Sequence, residues 1–290
     1  MEIAKNWLDY ELLDMHKGEK LERWGNIITR RPDPQVIWPG DINSRNWKNA
    51  HMHYHRDKSG GVAWGNSTSA VPDSWQINYN GLRFKIKPTD FKHMGLFPEQ
   101  AVNWDWAMKM IKGAKRQIRL LNLFGYTGGA TVASLQAGAD VTHIDAAKGM
   151  NEWAKENIAL SNLNSQKHRV LTDDVMKFVK REARRESRYD AIIMDPPSFG
   201  RGPSGEMWKL ENRLYDLVHE SLKTLTISPL FVLLNSYTSG LSPTVASNIL
   251  RVAASNLHLK CDITYGEIGL KASSSGLTLP CGIYGRAIFN

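Results

Sequence analysis

Short apolar runs alternate with segments of helical period from about residue 117 of this 290-residue chain. Such alternation predicts strands joined by crossover helices, and therefore a parallel sheet with helices on both faces. The predicted strands cover 118–124, 141–144, 169–171, 189–194 and 230–234, and the predicted helices cover 129–137, 150–160, 175–185, 213–225 and 244–256. Two further predicted strands, 263–268 and 281–289, flank a serine-rich loop, and we expect them to form a hairpin at the sheet edge.

The first of these strands runs into a glycine-bearing turn, residues 125–129 (GYTGG), that opens a helix. Glycine has no Cβ, so the backbone there can come close to a ligand. The second strand ends at Asp145, 20 residues after Gly125, where a carboxylate can accept hydrogen bonds from a ribose. The G-x-G-x-x-G spacing that cradles a pyrophosphate is absent, which favours a nucleoside ligand without phosphates over a dinucleotide. The alternative is that the glycines only shape the turn.

The fourth strand ends in residues 195–199 (DPPSF). Neither proline has an N–H, so the carboxylate of Asp195 and the neighbouring carbonyls form an acceptor set suited to an exocyclic amine or a ring nitrogen. Phe199 could stack on a base, extruded from its helix if it is paired. The alternative is a rigid turn that terminates the strand.

The first 90 or so residues are rich in Trp, Asn and Gly and show few helical periods. Apolar residues alternate through 75–79 and 82–86 on either side of Asn80-Gly81, which predicts a β-hairpin. We therefore predict a small β-rich domain over residues 1–88 and a second domain over 89–290. The first helix of the second domain carries Val102, Trp106 and Ile111.

Three histidines, His51, His53 and His55, would share one face of an extended strand. Such a set could hold a metal, but neighbouring side chains on one strand face diverge and no fourth ligand is apparent. We expect an exposed polar strand face and no metal.

The formal net charge is +8, an excess that favours a polyanionic partner such as RNA. One cationic set lies on the helix that starts near Val175, and a second set interleaves with aromatic residues in the first domain. The two sets are Lys177, Lys180, Arg181, Arg184, Arg185 and Arg188, and Arg30, Arg31, Arg45, Lys48, Arg83, Lys85 and Lys87 beside Trp38, Trp47, Trp75 and Phe84. Either set could contact phosphates or bases, or be a solvated face with core aromatics.

Only two cysteines, Cys261 and Cys281, are present, so neither a disulfide framework nor a C-x-x-C metal site is expected. The first ten residues lack a basic-then-apolar order, and no apolar run reaches membrane-spanning length. We expect a cytoplasmic protein with no membrane partner. The oligomeric state is left open, with a homodimer as one arrangement.

These residues together resemble class I S-adenosylmethionine-dependent methyltransferases of the type that includes the 23S rRNA large-subunit methyltransferase I family. The resemblance covers most of residues 91–290, and its carriers are 121–129 (LNLFGYTGG), Ile144-Asp145, 153–157 (WAKEN), 173–175 (DDV) and 195–199 (DPPSF). It implies an α/β, Rossmann-like seven-stranded sheet with an antiparallel last strand. It also implies S-adenosylmethionine as the cofactor.

The resemblance further implies a role for individual residues. The cofactor would be held at its methionine end by the turn, at its ribose by Asp145 and at its adenine by Asp174 and Val175. A segment at 97–100 would close over it, although the basic residue usual after the glutamine is Ala101 here. The implied cofactor-binding set is Phe97, Gln100, Phe124, Gly125, Tyr126, Thr127, Gly128, Asp145, Asp174, Val175 and Asp195, and the implied catalytic set is Asp195, Pro196 and Phe199.

The acceptor atom is predicted from a missing residue. Some relatives make 5-methylcytosine, a reaction that needs a cysteine thiolate to add to the ring. The strand after the DPPSF motif reads 233–238 (LLNSYT) and has no cysteine. We therefore predict methylation of a base nitrogen, with ribosomal RNA as the substrate. The alternatives are methylation of a small molecule or a protein side chain, and an RNA-binding protein that retains the fold without turnover.

Overall fold

Two groups of elements follow one another along the chain in the computed structural model, which describes residues 1–56, 62–66, 71–201, 207–238 and 240–289. Strands dominate the first group: β1 (Glu2–Ile3), β2 (Tyr10–His16), β3 (Glu19–Trp24), β4 (Ile27–Pro32), helix α1 (Arg45–Lys48), β5 (Met52–Arg56), β6 (Val62–Asn66), β7 (Trp75–Tyr79) and β8 (Leu82–Ile86). A 3-10 helix, Pro98–Gln100, leads into the second group: α2 (Ala101–Gly113), β9 (Arg119–Leu123), α3 (Gly129–Gln136), β10 (Asp140–Asp145), α4 (Lys148–Leu160), β11 (His168–Thr172), α5 (Val175–Arg184), β12 (Ala191–Met194), β13 (Phe199–Arg201), β14 (Met207–Lys209), α6 (Leu210–Leu222), β15 (Phe231–Ser236), α7 (Pro243–Asn256), β16 (Asp262–Lys271) and β17 (Thr278–Ile288).

The larger of two compact units comprises Met1–Glu2, Val102–Ile268 and Cys281–Asn290. Its sheet has the strand order β1-β16-β17-β15-β12-β9-β10-β11. The five strands from β15 to β11 run parallel, and β17 pairs antiparallel with β15. The predicted seven-stranded sheet with an antiparallel strand is confirmed, and the two-residue β1 is an additional edge strand.

Both faces of this sheet are covered by helices. On one face α5, α6 and α7 pack side by side over Leu121, Leu123, Ile192 and Val232, all of which are fully buried. On the other face α3 and α4 pack against β9, β10 and β11. Because side chains alternate along a strand, apolar residues are needed at nearly every position of β9 and β12. That double burial explains the uninterrupted apolar runs in the sequence.

The smaller unit comprises Ile3–Ala101 and Gly269–Pro280. Its main sheet has the order β2-β3-β4-β5-β6, in which only the β4–β5 pair is parallel. A buried ion pair ties β3 to β4, since Arg31 donates to Glu22 through Nε at 2.6 Å and through Nη2 at 2.7 Å. Burial opposes the charge on Glu22, but the Arg31 cation outweighs it and lowers the pKa of that carboxyl.

The sequence prediction of the β7–β8 hairpin is confirmed, with Trp75 opposite Ile86 and Tyr79 opposite Leu82. Asn80 (φ 48°) and Gly81 (φ 86°) both take the left-handed conformation that a two-residue type I′ turn requires. The division of the chain at residue 88 stays a prediction. Within the described ranges, no helix combines the length and the apolar character needed to cross a membrane.

Candidate cofactor and acceptor site

Four adjacent parallel strands end level with one another and form a rim at the carboxyl edge of the sheet. Met194 of β12 and Ile144 of β10 both pair with Leu123 of β9. Backbone hydrogen bonds continue one step beyond the strands. The N–H of Gly125 donates to Ile144 O at 3.0 Å, that of Asp173 to Asp145 O at 3.2 Å and that of Asp195 to Leu123 O at 3.4 Å. The structure therefore brings the glycine turn, Asp145, 173–175 and Asp195 together on one rim.

The turn after β9 has a strained backbone. Phe124 (φ 55°) and Tyr126 (φ 50°) take the left-handed conformation, which costs an ordinary residue about 1–2 kcal/mol. Gly128 (φ 86°) takes it without that cost and precedes the first residue of α3. A Cβ on Gly128 would lie 2.9 Å from the Cβ of Ala154, so the close approach of α4 requires glycine there. The turn is thus shaped by tight packing beneath it.

Beneath Gly125 lies a buried polar cluster. Thr131 Oγ1 accepts from Asn122 Nδ2 at 2.9 Å and is 2.8 Å from His143 Nδ1. A Cβ on Gly125 would collide with the His143 ring. Burial lowers the pKa of His143 to about 4, so the imidazole is neutral at physiological pH. His143 belongs to the support of the turn, and nothing in the sequence except a histidine inside an apolar strand signals it.

Asp145 braces the same turn from the end of β10. Its Oδ2 accepts from the Tyr126 N–H at 2.9 Å, and its Oδ1 accepts from the Ala147 N–H at 2.8 Å. Burial raises the pKa of this half-buried carboxyl, although the two N–H groups oppose the shift. Each carboxylate oxygen can accept more than one hydrogen bond, so both oxygens can also receive ribose hydroxyls.

Two asparagines of α4 fasten the ends of the rim. Asn157 donates to the Thr127 carbonyl at 2.8 Å. Asn151 donates to the Asp145 carbonyl at 3.0 Å and to Thr172 Oγ1 at 2.8 Å, and so ties the end of β10 to that of β11. Both are buried, and two buried amides on an otherwise apolar helix face are a signal that inspection of the sequence could have used.

At the end of β11, Asp174 is the N-cap of α5. Its Oδ1 accepts from the Lys177 N–H at 2.8 Å, which satisfies one of the donors at the start of that helix. Val175 is buried in the core, and Asp173 forms an ion pair with Arg181. The structure therefore shows Asp174 in a capping role. Its contact with adenine, and that of Val175, stay predictions.

Asp195 follows β12, and Asn235 of β15 donates to its Oδ1 at 2.8 Å. Asn235 in turn accepts from Asn103 of α2 at 3.3 Å. The neighbouring Pro196 is buried, whereas the next residues of the motif are exposed. In the sequence, residues 233–238 are notable for the absence of a cysteine, yet the residue among them that contacts Asp195 is the asparagine, Asn235.

The motif continues into the β13–β14 hairpin. Trp208 of β14 donates its indole N–H to the Pro197 carbonyl at 2.6 Å, and its ring lies 5.4 Å from that of Phe124. Ser198 Oγ is 2.7 Å from Thr238 Oγ1. The Pro197 carbonyl is thus already an acceptor within the chain, and Trp208 links the DPPSF motif to the glycine turn. Phe199 is 54% exposed.

Other residues singled out in the sequence lie in the smaller unit. Phe97 and Gln100 are at its 3-10 helix, and their contact with a cofactor stays a prediction. His53 Nε2 contacts Glu19 at 2.9 Å, and Glu19 also pairs with Arg30. Among the residues that the structure describes, no cluster of three His, Cys, Asp or Glu side chains could hold a metal.

The family follows from comparison with known sequences. The sequence model of S-adenosylmethionine-dependent methyltransferases matches residues 26–225, which is more than half of the chain. The chain belongs to this family. The fold class predicted from the sequence, and S-adenosylmethionine as the family's cofactor, are thereby confirmed.

Similar proteins extend this result. The crystal structure of the SAM-dependent methyltransferase from Agrobacterium tumefaciens is 33% identical, with 100% of this chain and 93% of that one covered at a TM-score of 0.93. A methyltransferase complexed with SAH is 18% identical and shows the same fold, at 98% and 76% coverage and a TM-score of 0.74. Ribosomal RNA large subunit methyltransferase K/L from Colwellia psychrerythraea is 32% identical over 154 residues, which are 52% of this chain and 21% of that protein. The chain therefore spans about a fifth of the length of that curated relative.

Neutral His143 makes the stability of the methyltransferase fold depend on pH. The unfolded chain binds a proton at this histidine below pH about 6.5, whereas the folded chain resists it down to about 4, so protons favour unfolding in that window. We expect His143 to account for a loss of about 2 kcal/mol in the free energy of unfolding between pH 6.5 and 4.5. Urea unfolding at several pH values measures this loss.

The matched variants are His143→Asn, which keeps a polar atom near the Nδ1 position, and His258→Asn, which alters an exposed histidine at a φ that asparagine tolerates. The first should flatten the pH dependence by about that amount and the second should leave it unchanged. Equal slopes in all three proteins would show that His143 does not resist protonation.

Proposed function

We propose that the chain transfers a methyl group from S-adenosylmethionine to a nitrogen atom of a base in ribosomal RNA. The observation that carries the proposal is the Asp195 carboxylate, oriented by Asn235 at 2.8 Å on the same rim as the glycine turn. The name of the Colwellia relative and the formal net charge of +8 support RNA as the substrate.

The rim fits the cofactor of the family. The glycines at 125 and 128 allow the turn to lie close over His143 and Ala154, and the Asp145 carboxylate offers acceptors for ribose hydroxyls. The turn lacks the G-x-G-x-x-G spacing that cradles a pyrophosphate, and S-adenosylmethionine has no pyrophosphate. Asp145 would hold the ribose, and residues 124–128 would surround the methionine end. Asp174 and Val175 would flank the adenine, with Phe97 and Gln100 closing the site.

Methyl transfer is an in-line displacement, so its rate depends on how the acceptor is held. S-adenosylmethionine supplies the electrophilic methyl group on a sulfonium. Asp195 would accept an N–H of the base and so aim the nitrogen lone pair at that methyl group. As the N–C bond formed, the C–S bond would break and its electron pair would stay on sulfur, which becomes a neutral thioether. The methylated nitrogen would become more acidic, and the same carboxylate could receive its proton. Phe199, exposed on β13, would stack on the base.

A nitrogen acceptor is favoured because residues 233–238, the strand segment that follows the DPPSF motif in the sequence, contain no cysteine. Burial raises the pKa of Cys261, which precedes β16, so its thiolate is disfavoured. Cys281 is buried in β17, two residues before Ile283, which pairs with Ser236 of β15. It lies toward the same edge of the sheet as the DPPSF motif. Substitution of Cys281 therefore tests whether the methyl group goes to a nitrogen or, with the help of a cysteine, to a carbon of the base.

The experiment that tests the function is transfer of radiolabelled methyl to RNA, protein and metabolite fractions of cells that lack this protein. Label in ribosomal RNA with the wild-type chain, and none with Asp195→Asn, is the expected result. Nucleoside analysis then identifies the methylated atom. Label only in protein or metabolites would replace RNA by another acceptor, and cofactor binding without any transfer would indicate a protein without turnover. The homodimer and the cytoplasmic location stay predictions.

Asp145→Ala should weaken S-adenosylmethionine binding by about 1–3 kcal/mol, since it removes acceptors for the ribose and the brace on Tyr126. Isothermal titration calorimetry measures the affinity. The matched control is Asp140→Ala, at the opposite end of β10, where Asp140 contacts Lys167 and Gln117. An affinity that is equally unchanged in both folded variants would remove Asp145 from the cofactor site.

The double variant Cys261→Ser, Cys281→Ala should retain methyl transfer, because a base nitrogen attacks the methyl group without a protein nucleophile. A covalent route would instead lose turnover by orders of magnitude. Initial rates at saturating cofactor decide between them, and thermal unfolding confirms that the variant is folded. Inactivity of the folded variant would favour methylation at carbon.

A further inference from the structure

A chain of hydrogen bonds runs from Asp195 through the interior of the larger unit. After Asn235, the next member is Asn103 of α2, and Arg286 of β17 donates through Nη2 to Asn103 Oδ1 at 3.0 Å. Arg286 also donates two hydrogen bonds to the Glu2 carboxylate, from Nη1 at 2.9 Å and from Nη2 at 3.1 Å. The interior members are almost fully buried, with exposures of 1% for Asn235, 2% for Asn103 and 4% for Arg286.

Packing holds these side chains in place. In the β15–β17 pair, Asn235 lies opposite Tyr284 and Leu233 lies opposite Arg286, so all four occupy one face of the sheet. The Arg286 guanidinium lies 4.7 Å from the ring of Trp106 and 3.9 Å from that of Tyr284. The Tyr284 hydroxyl donates to Glu2 Oε1 at 2.5 Å, the oxygen that also accepts from Arg286 Nη1. Burial opposes the charge on Glu2, but the bonds from Arg286 and Tyr284 outweigh it and lower the pKa of that carboxyl.

Arginine sets the direction of this chain because it can only donate. Asn103 must turn its oxygen to Arg286, which leaves its amide N–H for Asn235. Asn235 must then accept with its own oxygen, which leaves its N–H for Asp195. An asparagine amide is otherwise free to flip, and a flipped Asn235 would present an oxygen to the carboxylate. The cation thus determines which atom Asp195 meets.

We propose that Asn103 and Arg286 are positioning residues for methyl transfer, which act through Asn235 to hold the Asp195 carboxylate in the orientation that receives the acceptor nitrogen. This inference rests on the proposed function of Asp195. The chain of bonds is directional, and each amide that accepts from a cation becomes a better donor to the next group. A carboxylate held in this way needs little reorganisation when the base arrives.

Asn103→Asp is the sharpest test because it keeps the shape of the side chain and removes the donor that orients Asn235. A carboxylate at position 103 still accepts from Arg286, but it cannot donate to Asn235. Asn235 then lies between two carboxylates and can donate to only one of them, so its orientation toward Asp195 is no longer fixed. We expect kcat to fall by about 10- to 100-fold. The dissociation constant of S-adenosylmethionine and the KM for RNA should stay within about twofold, because the substitution does not alter the contacts that bind the cofactor and the RNA before the reaction.

Two further variants frame this measurement. Asn235→Leu removes the donor to Asp195 at similar volume, and it should lower kcat by a similar factor with cofactor affinity retained. Asn256→Asp makes the same chemical change in α7, where the amide donates to Tyr215 at 2.8 Å, and it should leave kcat unchanged. Full kcat in both Asn103→Asp and Asn235→Leu would overturn the proposal.

A measurement of thermal stability tests the hydrogen-bond network in the absence of any methyl-accepting substrate. In the Asn103→Asp protein, Asn235 lies between two carboxylates and faces one of them oxygen to oxygen. Adding Asp195→Asn supplies a donor, so both contacts of Asn235 can form again. The double variant should therefore melt about 2–4 °C above Asn103→Asp alone, whereas Asp195→Asn in the wild-type chain should shift Tm little. When Asp195→Asn is combined with the control Asn256→Asp, the change in Tm should equal the sum of the two single changes.

The two arms separate the possible failures. If the wild-type chain labels no RNA but the Tm coupling is found, the proposed function fails and the orienting network stands. If RNA is labelled and the Tm shifts of Asn103→Asp and Asp195→Asn simply add, the network inference fails and the proposed function stands.

Discussion

The register of four parallel strands is the constraint on which the rest of the structure depends. Leu123 is level with Met194 and Ile144, so the residues that follow these strands emerge side by side. Because both faces of the sheet are buried under helices, a slip of one residue would carry Asp145 or Asp195 into an apolar layer. Burying an unpaired carboxylate costs several kcal/mol. The apolar core therefore fixes where the polar chemistry is placed.

The groups that support the glycine turn are also those that surround the proposed cofactor site. The left-handed conformations of Phe124 and Tyr126 persist because Asp145 accepts the Tyr126 N–H and Asn157 donates to the Thr127 carbonyl. Burial that raises the pKa of Asp145 is opposed by the N–H groups it braces. His143 fills the space that a side chain on Gly125 would need. Each contact limits the turn to one shape before any ligand arrives.

Hydrophobic period and turn chemistry were sufficient to predict the parallel strands and crossover helices of the larger unit and the β7–β8 hairpin. The rim could be predicted because its residues lie in the turn or within three positions of a strand end. Boundaries were less accurate. The helix predicted at 213–225 lies at Leu210–Leu222. Leu225 fits the helical spacing of apolar residues, but it lies beyond the helix and forms a backbone bridge with Tyr189. Trp208 was missed because its contacts with Pro197 and Phe124 depend on how the β13–β14 hairpin folds back.

Partners distant in sequence explain the rest of what sequence reasoning missed. Asn235 and Arg286 are visible as polar residues inside apolar strands, which signals that each must have a buried partner. The signal does not name that partner. Asn103 lies 132 residues before Asn235, and Glu2 lies 284 residues before Arg286. The antiparallel β17 comes last in the chain yet pairs with β15 inside the sheet. The group that orients Asp195 is therefore a property of the topology and cannot be derived from any local motif.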